Sequence, residues 1–338
     1  MIGSSLAGCA QIGPSRHPAR IDVGDLPQWQ QDRLDGLATA LSRQCSRASR
    51  LPGWLSHCKD FALLDGADAA GLRRWIEQRF VARELLNPDG TFDGLLTGYY
   101  EPILSGSRTR ERADQVPLLA PPVLTPDAWP TRAQIEDGPI ADEQVLVWLD
   151  DPIDAYFLHV QGSGRVRLRD GGELRAGYAA NNGHPYRSIG RILVTRGELP
   201  LDRADANGIR QWLEQHPDRG RLLMQENPRY IFFRELKPAD SSVTPPGSMG
   251  VPLTPMRSLA TDPRWIAPGT LVYVAAAHTP DPSTRHAHPI SRLTVSQDTG
   301  AAIKGILRGD LFTGSGPKAG ELAGILRQPS RFWALEPR

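Results

Sequence analysis

Two aspartates, Asp298 and Asp310, stand in the segment VSQDTGAAIKGILRGDLFTGSG, Val295 to Gly316, which is otherwise built of glycine, short apolar residues and threonine. A core strand avoids an ionised carboxylate, because burying one without a partner costs several kcal/mol. A surface loop is seldom this apolar. Carboxylates beside Gly-rich turns at strand ends suit the floor of a cleft. Gly300, Gly305, Gly309, Gly314 and Gly316 allow sharp turns and close approach of a ligand. Apolar neighbours would raise the pKa of one carboxyl and fit it for a general acid. The structural alternative is that both aspartates cap turns through Asx hydrogen bonds.

Other stretches could supply binding groups. In LLTGYYEP, Leu95 to Pro102, Thr97 precedes two adjacent tyrosines, Tyr99 and Tyr100, which a strand would send to opposite faces. An aromatic face with a hydroxyl suits a sugar; packing is the other explanation. In YFLHVQGSGRVRL, Gln161 and Ser163 stand where a strand would turn. The stretch is neither G-x-S-x-G nor G-x-G-x-x-G. It reads as a hairpin turn or as a polar substrate contact. ANNGHPYRSIGR, Ala180 to Arg191, is dense in hydrogen-bonding groups and suits acetamido or lactyl recognition as well as loop capping. His278, His286 and His288 lack a cysteine or acidic partner at zinc-ligand spacing, and TGSGPKAG is not a P-loop. The expectation is no metal and no cofactor.

These residues need a scaffold. At 338 residues the chain suits two domains, or one carrying a large insertion. Its 30 prolines and 33 glycines argue for short strands and many turns. A formal charge of +1 with scattered basic residues argues against nucleic acid as a partner. Helices are expected over Leu26 to Ala48, from an Asp68 N-cap through Phe80, and over Ala204 to Gln225. Strands are expected at 92–100, 143–149, 155–161, 165–168, 174–178, 230–235, 271–275, 293–297 and 311–312. The Pro-rich passage 103–133 and the stretch 237–247 read as two crossings between domains. That implies an insertion of residues 104–230 into a domain made of 26–103 and 231–338, after a tether over residues 1–25. Cys45 and Cys58 are read either as a disulfide or as two thiols. Leu6-Ala7-Gly8-Cys9 resembles a lipobox, although no charged n-region and apolar stretch stand before it. Two readings stay open: a start placed too far downstream, or a chance match.

Five blocks in order, TGYYEP, YFLHVQGSGRV, NGHPYRSIGR, MGVPLTPMRSLATDPRWIAPGTLVYV and QDTGAAIKGILRGDLFTGSGPKAG, resemble the membrane-bound lytic murein transglycosylase A family over most of residues 95–330. The last two resemble its 3D domain, whose three aspartates map onto Asp262, Asp298 and Asp310. The resemblance implies a mainly β fold with a few helices: a double-psi β-barrel with a second β-barrel inserted, and a groove between them for a glycan strand. It implies cleavage of the β-1,4 bond between N-acetylmuramic acid and N-acetylglucosamine, leaving 1,6-anhydro ends. Asp310 matches the acid/base residue, with Asp298 as its tuning neighbour and Asp262 as a structural turn cap before Pro263. Thr97, Tyr99, Tyr100, Gln161 and Ser163 are the expected groove residues. The implied partners are peptidoglycan glycan strands, the outer membrane through a lipid on Cys9, and other cell-wall enzymes. The rivals are a water-using hydrolase, with Glu101 or Asp154 as second carboxylate, and a wall-binding lipoprotein without chemistry.

Overall fold

The computed structural model describes residues 18–64, 68–122, 129–237, 244–276 and 290–338. Its strands, in chain order, are β1 (Arg20–Asp22), β2 (Phe80–Glu84), β3 (Gly94–Glu101), β4 (Ile103–Ser107), β5 (Val116–Leu119), β6 (Val145–Leu149) and β7 (Ser163–Leu168). They continue with β8 (Glu173–Asn181), β9 (Ile231–Glu235), β10 (Ser258–Ala260), β11 (Leu271–Ala276), β12 (Ser291–Asp298), β13 (Arg308–Ser315) and β14 (Arg327–Pro337).

Two sheets result. The first runs β1-β2-β14-β11-β12-β10-β13-β3, and a further pairing of β14 with β3 closes β3, β13, β10, β12, β11 and β14 into a ring. Two contacts in the ring, β3 with β13 and β10 with β12, are parallel. The second sheet runs β5-β6-β4-β7-β8-β9 and draws only on residues 103–235.

Strand β11 shows why the ring is stable. Its sequence LVYVAA is apolar without alternation, as expected for a strand covered on both faces. Val272 and Val274 point inward to Leu96, Leu259, Leu311 and Phe332. Leu271 and Tyr273 point outward to the N-terminal helices, against Trp29, Leu37 and Leu41. A buried ion pair locks this outer layer: Arg257 donates to both carboxylate oxygens of Asp32, at 2.6 and 2.9 Å.

Several elements differ from expectation. Leu26 to Ala48 is not one helix. It breaks at Leu34 and Gly36, both at positive φ, and the helix proper is Leu37–Cys45. The break lets Asp32 cap the Leu34 N–H while meeting Arg257. Residues 155–161 form a helix, Pro152–Gln161, rather than a strand. Asp151 accepts from the N–H groups of Ile153 and Asp154, Pro152 suits the first turn, and Gly162 at φ +80° ends it. These local signals outweigh β-propensity. The helix expected over 204–225 divides into Ala206–Gln215 and Pro217–Gln225, because Pro217 disfavours helical backbone at His216. Phe80 opens β2 instead of ending a helix. The passage 103–133 is not a crossing, since β4 and β5 already belong to the second sheet; the first passage between sheets is at Pro102, and the chain returns between β9 and β10.

Cys45 and Cys58 form a disulfide, joining the helices Leu37–Cys45 and Trp54–Phe61 across 13 positions. A loop of that length is worth about 2–4 kcal/mol. Cys45→Ser/Cys58→Ser should lower the urea midpoint by the matching amount, and an unchanged midpoint would refute the contribution.

Candidate active site

The register of three strands builds the site. Ala260 of β10 pairs with Asp298 on one side and Asp310 on the other. The two aspartates therefore sit two strands apart, with Cα atoms roughly 10 Å apart by ordinary strand spacing. Asp310 is directly opposite Thr97 of β3, 213 residues away in sequence. Asp310 lies inside β13, not before it, and Asp298 is the last residue of β12.

Their hydrogen bonds differ. Thr97 Oγ1 donates to Asp310 Oδ1 at 2.5 Å and itself accepts from Arg308 Nη2 at 2.7 Å. Asp310 Oδ2 has no hydrogen-bond partner among the described residues. Asp298 Oδ2 accepts from the Tyr99 hydroxyl at 2.7 Å, and its Oδ1 accepts from the N–H groups of Ser248 and Thr299 at 2.8 and 2.9 Å. Ser248 reaches it because Gly247 lets the turn press in; a Cβ there would stand 2.4 Å from the carbonyl oxygen of Gln297.

The electrostatics follow. Burial pushes the Asp310 carboxyl up to about 6; the Asp298 charge adds to this, while Arg308 and the Thr97 hydroxyl pull the other way. Burial also raises Asp298, but its three donors all stabilise the ionised form. Burial, and then the charge of Asp298, lift the Tyr99 phenol well above its ordinary value, so it serves only as a donor. The pair divides into a carboxyl with an unbonded oxygen, able to hold a proton near pH 6, and a carboxyl whose two oxygens both accept hydrogen bonds.

Both aspartates line a groove of about 650 Å³ between the two sheets. Tyr99, Gln161 and Ser163 also line it, as do Tyr178 and Tyr186. Gln161 Oε1 accepts from the Tyr100 N–H, tying the helix Pro152–Gln161 to β3. Tyr100 is not a groove residue: its ring turns to the other face of β3 and packs against Gly320. Thr97 acts through its bond to Asp310. Asp262 is elsewhere, paired with Arg264 and accepting from the Gly305 N–H at 2.9 Å, an arrangement that holds its carboxyl well below the usual range. It fixes the turn beyond β10 to the loop before β13.

Neither rival carboxylate lines the groove. Glu101 is buried between Arg165 and Arg175, and Asp154 pairs with Arg210 at 2.6 Å. Of the amide-rich stretch, Tyr186 reaches the groove, while Asn182 is buried and holds the carbonyls of Pro130 and Pro228. Among the described residues no cluster of three or more His, Cys, Asp or Glu side chains could hold a metal. His278, His286 and His288 lie outside the described residues. Arg308, Ser248, Arg229 and Arg234 were not anticipated as site residues. Arg308 carried a signal, since positions two apart on a strand share a face.

Residues 95–234 match the MltA specific insert domain, and residues 257–336 match the 3D domain. The chain is 35% identical over 242 residues to membrane-bound lytic murein transglycosylase A of Escherichia coli, a match covering 71% of this chain and 65% of that one. The structure of the lytic transglycosylase LtgG of Burkholderia pseudomallei is 41% identical, over 97% of both chains, with a TM-score of 0.66. The chain belongs to the membrane-bound lytic murein transglycosylase A family. Escherichia coli MltA with bound chitohexaose is 29% identical over 95% of this chain and 93% of its own, with a TM-score of 0.70. The insert-domain match takes in β3 and all of the second sheet, and the 3D match spans β10 to β14. The two family domains thus meet at the groove that holds Asp298 and Asp310.

Proposed function

We propose that the chain cleaves the β-1,4 bond between N-acetylmuramic acid and N-acetylglucosamine in peptidoglycan, releasing 1,6-anhydromuramoyl ends. The observation that carries this reading is the division of labour at the carboxyl pair. Asp310, raised to about 6, has one oxygen without a hydrogen-bond partner among the described residues, whereas the oxygens of Asp298 are occupied by three donors. Asp310 protonates the glycosidic oxygen as the bond from C1 breaks. Asp298, held in place by the Tyr99 hydroxyl and the Ser248 and Thr299 N–H groups, stands beside the oxocarbenium character that develops. The ionised Asp310 then takes the proton of the sugar's C6 hydroxyl as that oxygen bonds to C1. Proton and bond counts balance without water.

A hydrolase needs a second free carboxylate to activate water or attack the sugar. Glu101 and Asp154 are committed to arginines, and Asp298 to three donors, which favours the anhydro product. Tyr99, Gln161 and Ser163 are the proposed sugar contacts, Thr97 the residue that orients Asp310, and Asp262 a structural support. The inserted domain is taken as residues 104–230, and the two parallel pairings of the ring support the double-psi assignment. No helix among the described residues is long and apolar enough to cross a membrane. Anchoring through a lipid on Cys9, outside the described residues, at the periplasmic face of the outer membrane completes the proposal. Other cell-wall enzymes are its proposed further partners.

The test is a mass spectrum of muropeptides released from purified peptidoglycan. Products lighter by one water than hydrolytic ones, and absent with Asp310→Asn, are expected. Reducing ends would instead mean a hydrolase, and binding without cleavage a wall-binding module.

A further inference from the structure

A cation stands behind Asp310 that the reaction above leaves without a task. Arg308 and Asp310 lie two positions apart on β13, so their side chains leave the same face of that strand. Across the parallel pairing Arg308 is opposite Leu95, and Asp310 is opposite Thr97. Arg308 Nη1 donates to the carbonyls of Leu95 and Gly309, at 3.4 and 2.5 Å, and Nη2 donates to Thr97 Oγ1 at 2.7 Å. The guanidinium is thus held against the threonine, and Thr97 stands between it and the Asp310 carboxyl.

The chemistry of these three groups fixes where the protons sit. Arginine in a protein stays protonated and can only donate, whereas a hydroxyl has one hydrogen and two lone pairs. Arg308 takes a lone pair of Thr97 Oγ1, and its charge repels the hydroxyl hydrogen. That hydrogen turns away from the cation and onto Asp310 Oδ1, 2.5 Å from Oγ1. Oδ1 is then an acceptor whether the carboxyl is ionised or not. A proton held by Asp310 must sit on Oδ2, the oxygen without a hydrogen-bond partner among the described residues. Without Arg308 the hydroxyl would be free to turn round and accept from a protonated Oδ1, aiming the acid proton at threonine instead of the groove. The other charged or titratable groups at this point come from three strands. Asp298 of β12 acts on Asp310, Tyr99 of β3 donates to Asp298, and Arg327 of β14, paired with Thr97, acts on Arg308. Ala260 of β10, opposite Asp310, carries no charge.

We propose that Arg308 is a positioning residue for proton transfer: acting through Thr97, it confines the exchangeable proton of Asp310 to Oδ2. The proposal rests on the reading of Asp310 as acid and base. One oxygen then serves both halves of the reaction. Oδ2 gives its proton to the leaving oxygen and later takes the proton of the C6 hydroxyl, while the Thr97 bond to Oδ1 stays as it is.

The test compares the parent with Arg308→Met, Arg308→Lys, Thr97→Val and Arg308→Met/Thr97→Val. Methionine fills similar space without a donor or a charge. On peptidoglycan, Arg308→Met should lose about tenfold or more in kcat, the scale of a lost charge-assisted hydrogen bond, with KM little changed. Its kcat/KM should also hold to higher pH than the parent's, because Arg308 draws the Asp310 titration down and its removal lets it rise. A purely structural lesion would not move that limb upward. Arg308→Lys keeps a charged donor and should retain most of the rate. In the Thr97→Val background Arg308→Met should cost little more in kcat, since the path between them is already cut. Fully additive losses, or a parental kcat in Arg308→Met, would overturn the proposal. A second readout needs neither turnover nor a folded Arg308 variant. Infrared spectra of the glycan-free parent at pH 5, carbon-13 labelled at aspartate and referenced to Asp310→Asn, report the C=O stretch of the protonated carboxyl. A carbonyl oxygen that accepts a hydrogen bond vibrates at lower frequency than an unpartnered one. The parent should show one lowered band, and Arg308→Met a second, higher one. A higher band already present in the parent would sink the relay. If the parent releases no anhydro ends, the reading of the reaction falls, and the infrared band still decides where the proton sits.

Discussion

Asp310→Asn should abolish lysis and, above pH 7, leave the folded protein more stable than the parent. Loss of a positioned acid/base costs on the order of 10²–10⁴-fold in rate, and here one group serves in both proton transfers. The stability gain follows from the raised pKa. In the folded state Asp310 keeps its proton to about 6, while in the unfolded chain it titrates near the ordinary 3.8. Between those values the folded state holds more protons, so stability falls as pH rises through the window and is flat above it. At about 1.4 kcal/mol per pH unit the fall would approach 3 kcal/mol; solvent in the open groove reduces this to about 1–2 kcal/mol. Asparagine does not titrate and removes the fall. Urea unfolding at pH 4.5 and pH 8 checks this: the variant should gain on the parent only at the higher pH. Equal loss at both would mean that Asp310 is not held protonated. The same titration sets activity, because the first step needs the acid form. The quantity kcat/KM should decline above about pH 6, approaching tenfold per pH unit.

How far this site was legible in the sequence depends on how far apart its parts lie along the chain. Asp298 and Asp310 stand in one short stretch, and the wrong context for a core strand marked both. Tyr99 and Tyr100 obeyed strand alternation, so one faces the groove and the other packs, but the sequence did not say which. The pairing of Thr97 with Asp310 depends on a parallel register between β3 and β13, which no local pattern encodes. Residues 155–161 read as a strand on apolar content alone, whereas the Asp151 cap, Pro152 and the Gly162 stop set a helix there. With the helix in place, Gln161 becomes a tie between sheets rather than the tip of a hairpin. Arg229 carried no signal of its own, since its position depends on Asn182, His184 and Asn227 converging from separate segments.

The second large effect is expected at Glu101, away from the reacting atoms. This carboxylate is 1% exposed and ends β3, one residue before the chain passes at Pro102 into the second sheet. It accepts from Arg165 of β7 at 2.9 Å, Arg175 of β8 at 3.1 Å and the Ser315 hydroxyl of β13 at 2.5 Å. One buried charge thus ties the barrel to two adjacent strands, β7 and β8, of the other sheet. Glu101→Ala removes the buried carboxylate that two largely buried guanidiniums share, at a cost of about 3–5 kcal/mol, which is a large part of ordinary domain stability of about 5–15 kcal/mol. Calorimetry should then resolve two unfolding transitions where the parent shows one, because the sheets no longer melt together. A change below about 1 kcal/mol with a single transition would show that the cluster does not couple them. The same substitution separates positioning from chemistry. Tyr99 and Thr97 share β3 with Glu101, whereas Gln161 and Ser163 come from the other side of the crossing. Loosening the clamp should therefore widen the spread of groove geometries and raise KM for glycan, while the pH above which kcat declines stays where Asp310 sets it. Glu101→Gln, which keeps the shape and loses the charge, should fall between the parent and alanine on both measures.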